Sequence, residues 1–190
     1  ALRADLEAAL PLVWGRPVVS VFIGGGTPSL FSPDSIDRLL GDIRARLPLV
    51  PDCEVTLEAN PGTFERERFR AFRAAGVTRL SIGVQSFDDA RLQAIGRVHD
   101  SRQARAAVEE ARSAFDTFNI DLMYALPGQT LPMLQSDLDT ALVATHAADD
   151  GKSNPFLHLS MHLSISEQCS IDQPTGIRQA VERLVERMDS

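Results

Sequence analysis

The sequence predicts an α/β fold built from repeated strand–helix units, and three observations carry that expectation. Five short apolar runs recur, at Val18–Ile23, Glu54–Glu58, Arg79–Val84, Phe118–Met123 and Leu157–Ile165, each of strand length and bounded by turn-forming residues. Helical patterns of about a dozen residues lie between them, which is the crossover length that parallel strands require. Glycines and polar residues gather just after the runs. A barrel or half-barrel of βα units fits this order, and so does a doubly wound open sheet. The pattern favours the barrel, because polar groups follow every strand rather than one switch point.

The elements follow in order. Leu2, Leu6 and Leu10 lie on one face of an opening helix. Val18–Ile23 is a buried strand ended by Gly24, Gly25 and Gly26, then Thr27 and Pro28. Ser32 caps a helix with Pro33 at its first position and a stripe of Ile36, Leu39, Leu40, Ile43 and Leu47. Thr63 is placed to cap a helix over 64–75 that turns Phe69 and Phe72 inward and stops at Gly76. Ser86 and Asp89 have capping-box spacing for a helix over 88–95. Ser101 is placed to start a helix over 102–115, whose Ala104, Ala107, Val108 and Ala111 make a small-residue face for packing on a sheet. Thr130 opens a helical segment with Leu134, Leu138, Ala141 and Leu142 in phase. After Ala147 the chain turns polar and loses its period.

Bulk properties narrow the class. A chain of 190 residues with 44% hydrophobic and 24% charged residues has the size and composition of one globular domain. The net charge of −7 argues against a general nucleic-acid surface and favours a cytoplasmic protein. No apolar run reaches the eighteen or so residues of a membrane span. The two cysteines, Cys53 and Cys169, are far apart and match no CxxC or CxxxC spacing, so the chain lacks the local thiolate set of a zinc or iron–sulfur site.

The strand ends carry the chemistry. Three glycines remove side chains where a strand stops, so that backbone groups are open to a ligand. Glu58 follows the second strand, with Asn60 and Pro61 beyond it. Ser81, Gly83 and Gln85 end the third, and Arg97 and His99 lie in a later loop. Asp121 stands inside the fourth apolar run, where a carboxylate is costly unless paired or bound to a ligand. Such groups suit a small molecule with an amino acid end and a sugar end. Glu58 can pair with an ammonium, Arg97 can grip a carboxylate through its fork, and Asp121 with Gln85 can take vicinal hydroxyls, as a carboxylate does in dinucleotide folds. Plainer roles remain open for each: a tight turn at the glycines, helix capping by Glu58, turn and cap roles at Gln85 and Ser86, a surface pair at Arg97 and His99, and a structural hydrogen-bond hub at Asp121. GGGTP lacks the GK[ST] ending of a P-loop, and no GxSxG elbow is present.

VFIGGGTPSL, TLEANPGT, RLSIGVQSFDDARLQAIGRVHD and FNIDLMYALPGQT together resemble the radical SAM family. More narrowly they resemble its oxygen-independent coproporphyrinogen III oxidase-like subfamily, the haem-chaperone type in particular. The resemblance covers about residues 1–165, and the remainder, 166–190, reads as a degenerate or truncated tail. It implies a partial (β/α)6 TIM-like barrel, with S-adenosyl-L-methionine and a [4Fe–4S] cluster as cofactors. For the chaperone type it also implies haem as ligand and a haem-acceptor protein as partner; for the oxidase it implies a porphyrinogen whose propionates become vinyl groups. By motif, Gly24, Gly25, Gly26 and Thr27 line the methionyl end of the cofactor and Glu58 is the cofactor-side glutamate. Gln85 and Asp121 are ribose contacts, and Arg97 meets the methionine carboxylate.

One departure stands out. The family's CxxxCxxC loop follows the first barrel strand and would precede Ala1; neither Cys53 nor Cys169 replaces it. The chain also starts inside a predicted helix, as expected of a piece cut from a longer product. These 190 residues alone are therefore expected to lack the first strand and the cluster loop, and to be inactive in radical chemistry.

Overall fold

A computed structural model describes residues 1–146. Its elements are α1 (Leu2–Val13), β1 (Val18–Ile23), a 3₁₀ turn (Pro28–Leu30), α2 (Pro33–Arg44), β2 (Leu49–Ala59), α3 (Thr63–Arg66), α4 (Phe69–Ala74), β3 (Arg79–Gln85), α5 (Asp89–Ala94), α6 (Ser101–Ala114), β4 (Thr117–Leu122) and α7 (Leu131–His146). The expected strand Leu157–Ile165 and the tail 166–190 lie outside the described residues.

The four strands form one sheet in the order β1-β2-β3-β4, and every neighbouring pair is parallel. Sequential order without a reversal is the barrel arrangement; a doubly wound sheet would show a switch point. Each strand is followed by at least one helix, which supplies the return path.

Alternation along the strands gives the sheet two unlike faces. Val55, Leu57, Ala59, Leu80, Ile82, Val84, Ile120 and Leu122 are buried on one side, in a common core with Ile36 and Leu40 of α2, Phe69 and Phe72 of α4, the Ala104–Ala107–Val108–Ala111 face of α6, and Ala141 of α7. The opposite face is polar. Thr56 donates to Glu54 at 2.9 Å, Arg79 donates to the other Glu54 oxygen at 3.1 Å, and Arg79 also bonds Asn119. Helix cover on one side therefore leaves a concave polar wall that leads up to the carboxyl ends of the strands.

Several boundaries differ from the expectations. β2 starts at Leu49 rather than Glu54, because the Val18 amide takes the Pro48 carbonyl and pairing begins before the apolar run. Thr63 is the first residue of a short helix with Gly62 at the cap position, and the expected single helix breaks at Glu67 and Arg68 into α3 and α4. Asp88, not Ser86, caps α5, accepting from the amides of Ala90 and Arg91. The Ser86 hydroxyl is taken instead by Asp137 of α7, at 2.7 Å. At α6 the cap is Asp100, in a capping box with Gln103, and Ser101 gives its amide to Asp89. Among the described residues no helix is long and apolar enough to cross a membrane.

Candidate functional site

A polar pocket of about 230 Å³ opens at the carboxyl ends of the strands. Its wall includes Gly25, Gly26, Thr27, Glu58, Gln85, Arg97 and Asp121. Seven of the eight residues singled out from the sequence thus meet in one place. Gly24 is set back from the wall, and a Cβ there would come within 2.9 Å of the Glu58 carboxyl. The strand that ends in glycine therefore makes room for Glu58 to lie across it.

Glu58 is on β2, in register with Ser81 of β3. It accepts the Gly25 amide at 3.0 Å, and Gly25 has φ +118, a backbone conformation that a side chain disfavours. Glu58 thus holds the glycine turn in shape, and helix capping is excluded as its role. Thr27 turns its hydroxyl to the Gly26 carbonyl at 2.6 Å.

Asp121 faces the concave side. Both of its oxygens accept from the Ser81 hydroxyl, at 3.1 and 2.9 Å. Its pKa is lifted from 3.8 to about 6. Burial is the main cause and the nearby Glu58 carboxylate adds to it, while the Ser81 bond, Arg79 and Arg97 pull the other way. Burial also lowers the Arg97 guanidinium from its ordinary value, against the pull of Asp121. Arginine remains a cation under such a shift, so the pocket presents one cation beside two carboxyl groups.

Gln85 is the most constrained of the set. It has φ +62, and the Ser86 amide bonds the Val84 carbonyl across it at 2.8 Å, the pattern of a tight three-residue turn. Such a backbone costs about 1–3 kcal/mol. The side chain is buried, and among the described residues its Oε1 has no hydrogen-bond partner. Gly83 leaves the space that its amide occupies, since a Cβ there would stand 2.8 Å from Gln85 Nε2. A buried, unpaired acceptor at the rim of a polar pocket is costly unless a donor arrives.

Sequence reasoning did not find the Arg79–Glu54–Asn119 layer beneath Asp121, although polar residues at every second position were its signal. The role of Ser81 as the partner of Asp121 has the same signature. It also missed Asp137, which accepts the Ser86 hydroxyl and the Phe87 amide, both at 2.7 Å. His99 was open to a surface role but is only 5% exposed.

Fold and pocket together define a βα-barrel protein with a small-molecule site at the strand ends, suited to a ligand bearing both charged and hydroxyl groups. The comparisons with known proteins go further. The radical SAM superfamily profile matches residues 4–141, and the chain belongs to that superfamily, whose cofactors are S-adenosyl-L-methionine and a [4Fe–4S] cluster. A second profile, described as a domain of unknown function (DUF1841), matches residues 101–190. The heme chaperone HemW of Haemophilus influenzae is 47% identical over 142 residues, covering 74% of this chain and 37% of that protein. Radical S-adenosyl methionine domain-containing protein 1, mitochondrial, of Mus musculus is 50% identical over 136 residues, covering 70% and 31%. Among solved structures, coproporphyrinogen III oxidase (HemN) from Escherichia coli superposes with a TM-score of 0.66 at 26% identity, over 92% of this chain and 44% of that one. The chain thus spans about a third of the length of these curated relatives.

Among the described residues, the pocket has groups of the kind one of the family's cofactors would need, and none placed to hold the other. The unpaired Gln85 acceptor, the Asp121 carboxyl and the Arg97 cation complement the hydroxyls and the carboxylate of S-adenosyl-L-methionine. Among the described residues no group of three or more His, Cys, Asp or Glu is placed to hold a metal ion, and Cys53 borders a separate pocket with Pro48, Leu49 and Thr78. No step through a cluster follows from these residues.

Proposed function

We propose that this chain is the S-adenosyl-L-methionine-binding core of a radical SAM protein of haem metabolism, of the haem-chaperone kind. The observation that carries the reading is the convergence of Glu58, Gln85, Arg97 and Asp121 on one pocket beside the GGGT turn. In this reading Gly24, Gly25, Gly26 and Thr27 form the wall along the methionyl end. Glu58, already holding Gly25, takes the ammonium with its remaining acceptor capacity. The Arg97 fork takes the carboxylate. Asp121 and Gln85 accept from the ribose hydroxyls, which satisfies the orphaned Gln85 oxygen. Bound beside a reduced iron–sulfur cluster, the cofactor supplies radical chemistry; the residues named here bind and orient it.

Haem as ligand and a haem-acceptor protein as partner rest on the relatives called heme chaperone at 47% identity. The second reading, an oxygen-independent coproporphyrinogen III oxidase acting on a porphyrinogen, rests on the structural neighbour at 26%. The test is to titrate the purified chain with S-adenosyl-L-methionine by calorimetry and with haemin by its Soret band. Micromolar binding of both is expected. Asp121→Ala should weaken the first at least about tenfold without changing the second or unfolding the chain. Failure of the parent chain to bind S-adenosyl-L-methionine overturns the site. Failure to bind haemin, with the site intact, overturns the chaperone reading in favour of the oxidase.

A further inference from the structure

Gln85 and Arg97 reach the pocket from different elements, and among the described residues no side-chain hydrogen bond aims either of them. Gln85 Oε1 has no partner there, and Arg97 interacts with Asp121 through charge. What aims them is their backbone. Arg97 leaves α5 just after Gly96, where φ is +72, and its amide is held by the Leu92 carbonyl at 2.9 Å. Val98 then points into solvent, 99% exposed, while His99 turns back and is 5% exposed. The His99 ring reaches the Val84 carbonyl with Nε2, at 3.1 Å. A carbonyl has no proton to give, so Nε2 carries the hydrogen and donates it.

That carbonyl is not an ordinary acceptor. It is the same oxygen that closes the tight turn across Gln85 by taking the Ser86 amide at 2.8 Å. The far side of the turn is gripped by Asp137, through Ser86 and Phe87, and the Gln85 carbonyl is tied to the Met123 amide at 2.8 Å. His99 is the link that joins this turn to the Arg97 loop.

We infer that His99 is a positioning residue: its imidazole fastens the loop carrying Arg97 to the strained turn carrying Gln85, so that the carboxylate-binding and hydroxyl-binding groups are set as one unit. The inference rests on the S-adenosyl-L-methionine reading of the pocket. A ring filling space in the core would serve equally as a leucine; a fastening needs the N–H. A glutamine in place of His99 would retain an N–H donor at a reach close to that of imidazole Nε2, whereas leucine keeps the bulk and loses the donor.

The experiment compares the full chain with His99→Leu and His99→Gln, using calorimetric titration with S-adenosyl-L-methionine and with 5′-methylthioadenosine, which has the ribose but no amino acid end. Melting temperatures are recorded alongside. His99→Leu is expected to weaken S-adenosyl-L-methionine about tenfold or more and methylthioadenosine by less, because the first ligand loses both aimed groups and the second only Gln85. His99→Gln is expected to restore both ligands to within about threefold of the parent. Unchanged binding in His99→Leu overturns the inference. So does His99→Gln weakened as much as His99→Leu, or failing to bind while still folded. If His99→Leu does not fold, the His99→Gln result decides alone. A parent chain that binds neither ligand overturns the pocket reading itself, a failure distinct from the others.

Discussion

Buried beside Glu58 and bonded to Ser81, the Asp121 carboxyl titrates near 6 rather than 3.8. Its folded-state pKa is raised, so the folded chain binds this proton more tightly than the unfolded chain does. Ionisation therefore costs stability, and the loss develops as pH rises from about 4 to about 6, then levels off. The cost is at most about 3 kcal/mol. His99 has the opposite sense: burial lowers its pKa below 6.5, so its contribution is lost as pH falls below that value. Urea unfolding of the parent and of Asp121→Asn across this range separates the two, because the His99 contribution is common to both. The parent should lose stability relative to the variant from pH 4 to 6 and run parallel above it; parallel curves throughout would overturn the assignment. Asp121 was legible in the sequence because a carboxylate inside an apolar run demands an explanation. The role of its partner was less so: Ser81 stands in register with Asn119, and its hydroxyl reaches the carboxylate two residues further along β4.

Elements were legible where their signals are local and obscure where a distant group intervenes. Pro33 opens α2 behind a Ser32 cap as expected, with Ser32 accepting the Ser35 amide. Ser86 has the right spacing for the α5 cap but is claimed by Asp137, 51 residues away, a competition that no window of local sequence contains. Asp100 shows what a local cap does when nothing competes: it accepts the Gln103 amide at 2.7 Å, and the Gln103 side chain accepts the Asp100 amide at 3.0 Å. Removing it with Asp100→Ala should cost about 1 kcal/mol, read as a lower urea midpoint at unchanged slope. Asp100→Asn should cost only a few tenths of that, because asparagine caps as well as aspartate. Equal losses in the two variants would show that the charge, rather than the hydrogen bond, matters at this helix start.

At the scale of the molecule, the order of strands and helices was readable because βα units announce themselves by period and length, and the choice between barrel and open sheet followed from where polar residues collect. What stayed hidden was the character of the concave face. Glu54, Thr56 and Glu58 on β2 and Arg79 and Ser81 on β3 alternate with valine, leucine and isoleucine, and such runs look apolar when averaged. The ion pair and amide contact among Glu54, Arg79 and Asn119 emerge only when three strands are laid side by side in register.

That one-sided sheet has a calorimetric consequence. Heat capacity on unfolding rises with the apolar surface exposed and falls with the polar surface exposed. A sheet that buries hydrocarbon on one face and charged or amide groups on the other exposes both kinds when it opens. Scanning calorimetry on the chain should therefore give a heat-capacity increment below the usual ~12–15 cal/mol/K per residue. The corresponding free-energy curve against temperature should be shallow, changing little between refrigeration and growth temperatures. An increment within or above the usual range would mean that the polar wall is outweighed by hydrocarbon elsewhere in the fold.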